Sequence, residues 1–244
     1  MKKLLLCIAL LLAAPKVGFT KGFSFQYRLL RNYLDLTPLN RYAFERGFSS
    51  FDFGNMQNNG SGVAFSFLIN NKLAAGIYID GVMTPQNSKA SKTYTDSNNV
   101  LYDGGVDTID ATIYWIGLFI ERRLHKNESW ETSIDAGVGL GGAGITMTER
   151  IYTEFIDVIT DDVETSISTS NYMLHIGIKA KYKYFKWGKI GLGCEYDYVP
   201  DTEWKVKYSY SNYPSNYSVP IPDKLNLNKY SFYISLEFGG GSSF

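Results

Sequence analysis

The sequence predicts an all-β chain closed into an eight-stranded antiparallel up-and-down transmembrane β-barrel, with short turns at one end and long loops at the other. Three observations predict it. An export signal is followed by no apolar run long enough for a membrane helix, eight segments alternate with period two, and the links between them alternate short and long.

The signal comes first. Lys2 and Lys3 precede an unbroken apolar run from Leu4 to Ala14, and Gly18 and Thr20 supply small residues before a cut near position 20. This pattern describes a secretory signal peptide over residues 1–20 and a mature barrel domain over 21–244. Removing the signal takes Lys2, Lys3 and Lys16 and leaves 21 basic against 24 acidic residues. With no basic excess, a nucleic-acid partner is not expected. Cys7 leaves with the signal, so Cys194 has no internal disulfide partner. Its parity is outward and its place mid-strand, where it faces lipid as an inert residue.

The first strand begins at Phe23. The link after it holds a helix: Thr37 as N-cap, Pro38 at N1, Leu39, Tyr42, Ala43 and Phe44 along it, Gly47 to stop it. Strands two and three start at Val63 and Leu73, joined by a two-residue hairpin at Asn70-Asn71. Strand four starts at Ile109. From Ile113 to Ile120 both of its faces are apolar, which a bulge near Gly117 or an apolar patch in the lumen explains. Strand five starts at Thr132, after the short link Arg123–Ser129.

Strands six to eight alternate most clearly. Tyr172, Leu174, Ile176, Ile178, Ala180, Tyr182 and Tyr184 share one face, with His175, Lys179, Lys181 and Lys183 on the other. After a three-residue loop at 186–188, Ile190, Leu192, Cys194, Tyr196 and Tyr198 alternate with Lys189, Glu195 and Asp197. Tyr230, Phe232, Ile234, Leu236 and Phe238 alternate with Ser231, Ser235 and Glu237. Four links are long, roughly 31–60, 84–107, 142–171 and 205–228. Residues 142–171 read as a projecting hairpin turning at Asp161-Asp162, and 205–228, with Pro214, as another. Trp130, Tyr184, Trp187 and Phe238 make an aromatic belt at the short-turn end, and Tyr172, Tyr198, Trp204 and Tyr230 a second at the long-loop end.

On these patterns the mature chain resembles the OmpA/OmpX-type family of eight-stranded outer-membrane barrels. The stretch Tyr230, Phe232, Ile234, Leu236, Phe238 resembles that family's C-terminal insertion signal. The chain departs from it by running on to Phe244, which keeps the same parity. The resemblance implies a bacterial outer-membrane location and a monomer. It also implies contact with outer-membrane lipids, lipopolysaccharide and the barrel-insertion machinery, and an extracellular protein ligand for the loops. No cofactor and no metal are expected.

The polar face places Arg28, Asp80, Asp110, Asp135, His175, Lys179, Lys181, Lys183, Glu195, Asp197 and Glu237 in the lumen. An eight-stranded lumen is only wide enough for side chains, so these charges should pair with one another. Counting back from the 186–188 loop sets Lys179 opposite Glu195. A polar plug is the plainer reading of this network, a gate or small-solute pore the sharper one. His175 with Asp197, Ser168 or Ser170 allows a lipid A-modifying enzyme at the outer rim, but no motif supports catalysis and a satisfied lumen histidine is the simpler account. The glycine run 137–144 lacks the helix and Lys-Ser/Thr of a phosphate loop. Asp157, Asp161, Asp162 and Glu164 match no calcium motif. The expected function is structural, adhesive or surface-binding, and not enzymatic. A soluble lipocalin-like barrel is the alternative if the apolar face points inward.

Overall fold

The computed structural model describes residues 22–45, 59–95, 101–151, 160–185, 187–208 and 221–240. For 83–95, 101–108, 149–151, 160–164, 207, 208 and 240 it describes the backbone alone. The elements are β1 (Phe23–Tyr33), α1 (Thr37–Glu45), β2 (Gly60–Leu68), β3 (Leu73–Thr95), β4 (Leu101–Lys126), β5 (Trp130–Ile151), β6 (Thr160–Phe185), β7 (Gly188–Tyr198), β8 (Lys205–Tyr208) and β9 (Lys229–Gly240). The predicted signal peptide and Phe244 lie outside the described residues.

β1 to β7 and β9 are the eight expected strands, each paired antiparallel with its neighbours until β9 closes on β1. One ladder row measures the closure. Phe23, Phe67, Ala75, Ile120, Ala136, Ile176, Tyr196 and Tyr230 pair in turn, and Tyr230 pairs with Tyr33, ten residues further along β1. Eight strands with that stagger tilt by roughly 40° from the barrel axis. The row therefore climbs from the short-turn end at Phe23 to the long-loop end at Tyr33.

The short turns are built by side chains. The Asn70 carboxamide oxygen accepts from the backbone N–H of Lys72 at 2.8 Å and Leu73 at 2.9 Å. Asn127 does the same for Ser129 and Trp130. Ile69 N–H bonds to Leu73 O, so three residues turn there and not the two expected. The β6–β7 turn differs as well: Phe185 pairs with Gly188, and a register shift lies between Lys183 and Phe185. Gly188 is drawn into the strand, which slides the ladder by two residues. Parity survives such a slip, but partners do not. Lys179 stands opposite Gly193, and Glu195 opposite Gly177.

At the other end β3 and β4 remain paired as far as Thr95 and Leu101, so 84–95 and 101–107 project as paired strands where a loop was expected. β5 and β6 project as foreseen, but Asp162 pairs with Arg150 inside the ladder, and the tip falls among residues 152–159, outside the described residues. β8 pairs with β6, and the hairpin expected around Pro214 lies outside the described residues. The chain from 221 to 228 turns inward, where Leu225 and Leu227 are fully buried. Trp204 leaves the expected belt for this inner core, its indole N–H donating to Asp223 O at 3.0 Å.

The cap of α1 falls one residue earlier than expected, since Leu36 O accepts from Asn40 N–H and Thr37 is already helical. Hydrogen bonds from the Thr37 side chain and backbone N–H hold the Asp35 carboxyl below its ordinary pKa. Gly47 lies outside the described residues. Leu39, Tyr42 and Ala43 are buried, so α1 lays its apolar side into the barrel's long-loop mouth.

Strand four resolves into the second of its two explanations. Its ladder to β5 is unbroken past Gly117; Ile113, Trp115 and Phe119 point inward, while Ile116, Leu118 and Ile120 point outward. The apolar inward residues make the floor beneath α1.

Closeness of neighbouring strands is testable at β5. A Cβ on Gly139 would meet Ile116 O at 2.0 Å, whereas one on Gly144 meets nothing within 4 Å. Gly139→Ala should cost about 1–3 kcal/mol of stability, as overpacking does. Gly144→Ala should leave the urea midpoint nearly unchanged; equal midpoints for the two variants would contradict the geometry.

Candidate functional site

The polar side chains gather in the lumen as one continuous network. At the short-turn mouth Arg123 Nε lies 3.1 Å from Glu131, Lys189 3.2 Å from Glu131, and Lys181 2.7 Å from Glu237 and 3.0 Å from Glu121. Deeper, Lys179 bridges Glu121 at 2.8 Å and Asp135 at 2.6 Å. His175 continues the chain, Nε2 3.4 Å from Asp135 and Nδ1 2.6 Å from Asp197. An N–H on each ring nitrogen satisfies that geometry.

The network ends at a three-carboxylate cage. Asp80, Glu195 and Asp197 each place an oxygen 3.0 Å from Lys229 Nζ. Arg28 joins from β1, paired with Glu195 and 3.5 Å from Asp80. The Tyr78 hydroxyl donates to Asp197 at 3.1 Å. Rings close the remaining space: Tyr233 lies under Arg28 at 4.3 Å and Trp115 beside Lys229 at 4.5 Å. Three oxygens within reach of one another resemble a cation site. The lysine ammonium already fills its centre.

Above the cage the lumen turns apolar. Trp115, Ile113, Ile109, Ile145, Met147 and Met173 pack against Leu36, Leu39 and Tyr42, and against Leu225 and Leu227. The Trp115 indole N–H donates to Leu227 O at 3.3 Å, and Val199 N–H to Asn228 Oδ1 at 2.7 Å, which fixes the inward segment as a lid.

Nine of the eleven residues read as lumen-facing are buried there: Arg28, Asp80, Asp135, His175, Lys179, Lys181, Glu195, Asp197 and Glu237. Lys183 has inward parity but stands half-buried at the mouth. Asp110 is corrected: it is exposed on the outside, and Ile109 takes the inward place. At that height the lumen is apolar, so the charged residue turns to solvent. The Lys179–Glu195 pair is corrected too: Lys179 finds Glu121 on β4 and Asp135 on β5, and Glu195 finds Arg28 on β1 and Lys229 on β9. Ser168 and Ser170 point outward, away from His175, so no rim triad assembles.

Glu121, Glu131, Arg123 and Lys229 belong to the network but escaped the sequence reading, and Lys189, read on the polar face of strand seven, was left out of the lumen set. For Glu131 and Lys229 the signal was present: Glu131 keeps parity four residues before Asp135 on β5, and Lys229 two residues before Ser231 on β9. Glu121 was hidden by the two-faced apolar stretch before it. Tyr230, Phe232, Ile234, Leu236 and Phe238 all lie on β9's outward face.

Among solved structures the chain is similar in fold to small outer-membrane barrels. Neisserial surface protein A matches at TM-score 0.46 with 10% identity, over 89% of this chain and 95% of that one. OprG of Pseudomonas aeruginosa matches at 0.47 with 9% identity, over 91% and 97%. Ail, the attachment invasion locus protein of Yersinia pestis, matches at 0.40 with 12% identity, over 90% and 97%. No protein-family model matches the chain, and no curated protein matches it in sequence.

The cage makes a quantitative prediction. Lys229→Met leaves three buried carboxylates without their shared cation and should cost about 3–5 kcal/mol in urea unfolding. The exposed Arg41–Asp223 pair, 3.4 Å apart, is the control: Arg41→Met should cost under about 1 kcal/mol.

Proposed function

We propose that this barrel is a bacterial outer-membrane protein, exported by the signal peptide at residues 1–20, whose lumen is a structural plug and whose function is binding at the cell surface. One observation carries the membrane reading: the wall is inside out. Leu118, Val138, Ile176, Leu192, Phe232 and Ile234 are each more than half exposed on its outer face, while lysines and carboxylates fill the interior. Water would penalise that surface, and a bilayer rewards it. Aromatic belts bound the apolar band. Phe185 stacks on Trp187 and Trp187 near Phe238 at the short-turn end; Tyr33 with Phe232, and Tyr196 with Tyr230, meet at the other.

Surface binding rests on what extends beyond the band. β3–β4 and β5–β6 leave the barrel as long paired strands, and β8 widens the second of them. Such a projecting sheet offers backbone edges to an extended protein segment. A pore is a poorer account, because ion pairs and the α1 lid fill the lumen. The barrel-insertion machinery would read the outward face of β9, and lipopolysaccharide would surround the upper belt.

Electrophoretic mobility in SDS tests the membrane reading. The protein should migrate faster unheated than boiled and should partition with outer membranes; a soluble protein with no shift would overturn the proposal. Leu118→Arg, at the centre of the band, should cost about 2–4 kcal/mol when refolding is measured in lipid vesicles. Shortening the β5–β6 projection at the Thr148–Glu164 rung should abolish cell-surface adhesion and keep the heat shift.

A further inference from the structure

The outer wall carries a groove; the plug residues Asp135 and Glu195 reach its lining but spend their carboxylates in the lumen. It holds ≈ 560 Å³ and crosses β4, β5, β6, β7 and β9 along two successive outward rows of the ladder. Ala136 and Cys194 are its small members. Ile120 and Ile176 flank Ala136, and Ile178 and Phe232 flank Cys194, so the wall is hollowed where two side chains are short. The volume falls within the roughly 300–1,000 Å³ usual for ligand sites.

The two ends of the groove differ. At the β9 end stand Tyr196 and Tyr230, stacked with centroids 4.5 Å apart. At the β4 end stands Arg122, exposed, pointing outward, and paired in the ladder with Leu73, the first residue after a short turn. The ladder climbs from β4 to β9, so Arg122 sits at the short-turn belt and the tyrosines stand near the other. A guanidinium at that height faces the phosphate layer of the periplasmic leaflet, and the hollow above it faces hydrocarbon.

We infer that this groove is a site for one phospholipid of the periplasmic leaflet, its phosphate on Arg122 and one acyl chain along Ala136 and Cys194. The inference rests on the membrane reading above. A chain of methylenes fills a narrow concave channel, whereas a second convex barrel would touch only its rims. Charge and depth both select the lipid: the cation lies where the headgroup is, and the apolar lining lies where the chain is.

Cys194 supplies the readout. In detergent, the rate at which its thiol reacts with a small maleimide should fall as dimyristoyl phosphatidylglycerol is added, because the acyl chain covers the sulfur. Arg122→Gln should require about tenfold more lipid for the same protection, the worth of one charge-assisted hydrogen bond. Ala136→Phe, which fills the hollow from outside without touching the lumen, should remove the lipid dependence. Identical protection curves for the wild type and Arg122→Gln would overturn the headgroup assignment, and full lipid-dependent protection in Ala136→Phe would overturn the groove. The heat shift in SDS is measured on all three proteins. If all three show it while their curves coincide, the lipid site falls and the membrane barrel stands. If the wild type lacks it, both fall together.

Discussion

The stagger of ten residues around eight strands is the constraint from which the rest of the structure follows. It fixes a barrel whose interior admits side chains and little else. Any charge directed inward is thereby removed from bulk water, and the cost of leaving it alone exceeds what one contact returns. The lumen answers by sharing. Lys229 serves three carboxylates, Asp135 serves both Lys179 and His175, and Glu131 serves Arg123 and Lys189. Many of these pairs join adjacent strands, while Lys229 with Asp80 on β3 and Lys181 with Glu237 on β9 skip strands, so the network ties the wall together at more than one spacing. The network closes the barrel from within as the ladder closes it around the circumference.

A second consequence concerns height. Within the band, the inside is charged and the outside apolar. Above it the order reverses: Ile109, Ile145 and Met147 face in, and Asp110, Ser168 and Ser170 face out. The same strands pass from one regime to the other without breaking parity. What changes is the solvent outside, from hydrocarbon to water, and with it the residue type each face tolerates. The reversal marks the bilayer's outer boundary on the chain. It also explains why α1 packs where it does, since only the upper lumen offers an apolar surface to a helix.

The strands and their faces were legible because period two is preserved under any slip by an even number of residues. Arg28, Asp135, His175 and Glu237 needed no register to be placed inside. His175 with Asp197 was legible as a pair, but the other partners were not, for two reasons. Gly188 entered β7 and moved the β6 ladder by two, which sequence spacing could not show. More deeply, some charges meet beyond the neighbouring strand, as Lys229 with Asp80 and Lys181 with Glu237 do, and such neighbours depend on tilt and closure together. Asp110 misled because one polarity rule was applied along a strand that crosses two solvents. Strand four misled for the same reason: its apolar inward residues belong to the upper regime and its Glu121 to the lower.

A lumen filled in this way cannot also be the working surface. Its charges are spent on one another, and its upper mouth is closed by α1 and by the segment around Leu227, held through Trp115 and Asn228. Loosening any member to admit a solute would strand several buried charges at once, a larger penalty than a passing solute could offset. Recognition must therefore occur where the wall is not committed to itself. Two such places exist among the described residues: the paired strands above the band, with backbone edges toward solvent, and the hollow beside Arg122, with its cation toward the headgroups. On the proposed reading one would address proteins outside the cell and the other the membrane that holds the barrel. The rigid plug serves both, because a wall that cannot deform presents its edges and its groove in a fixed geometry.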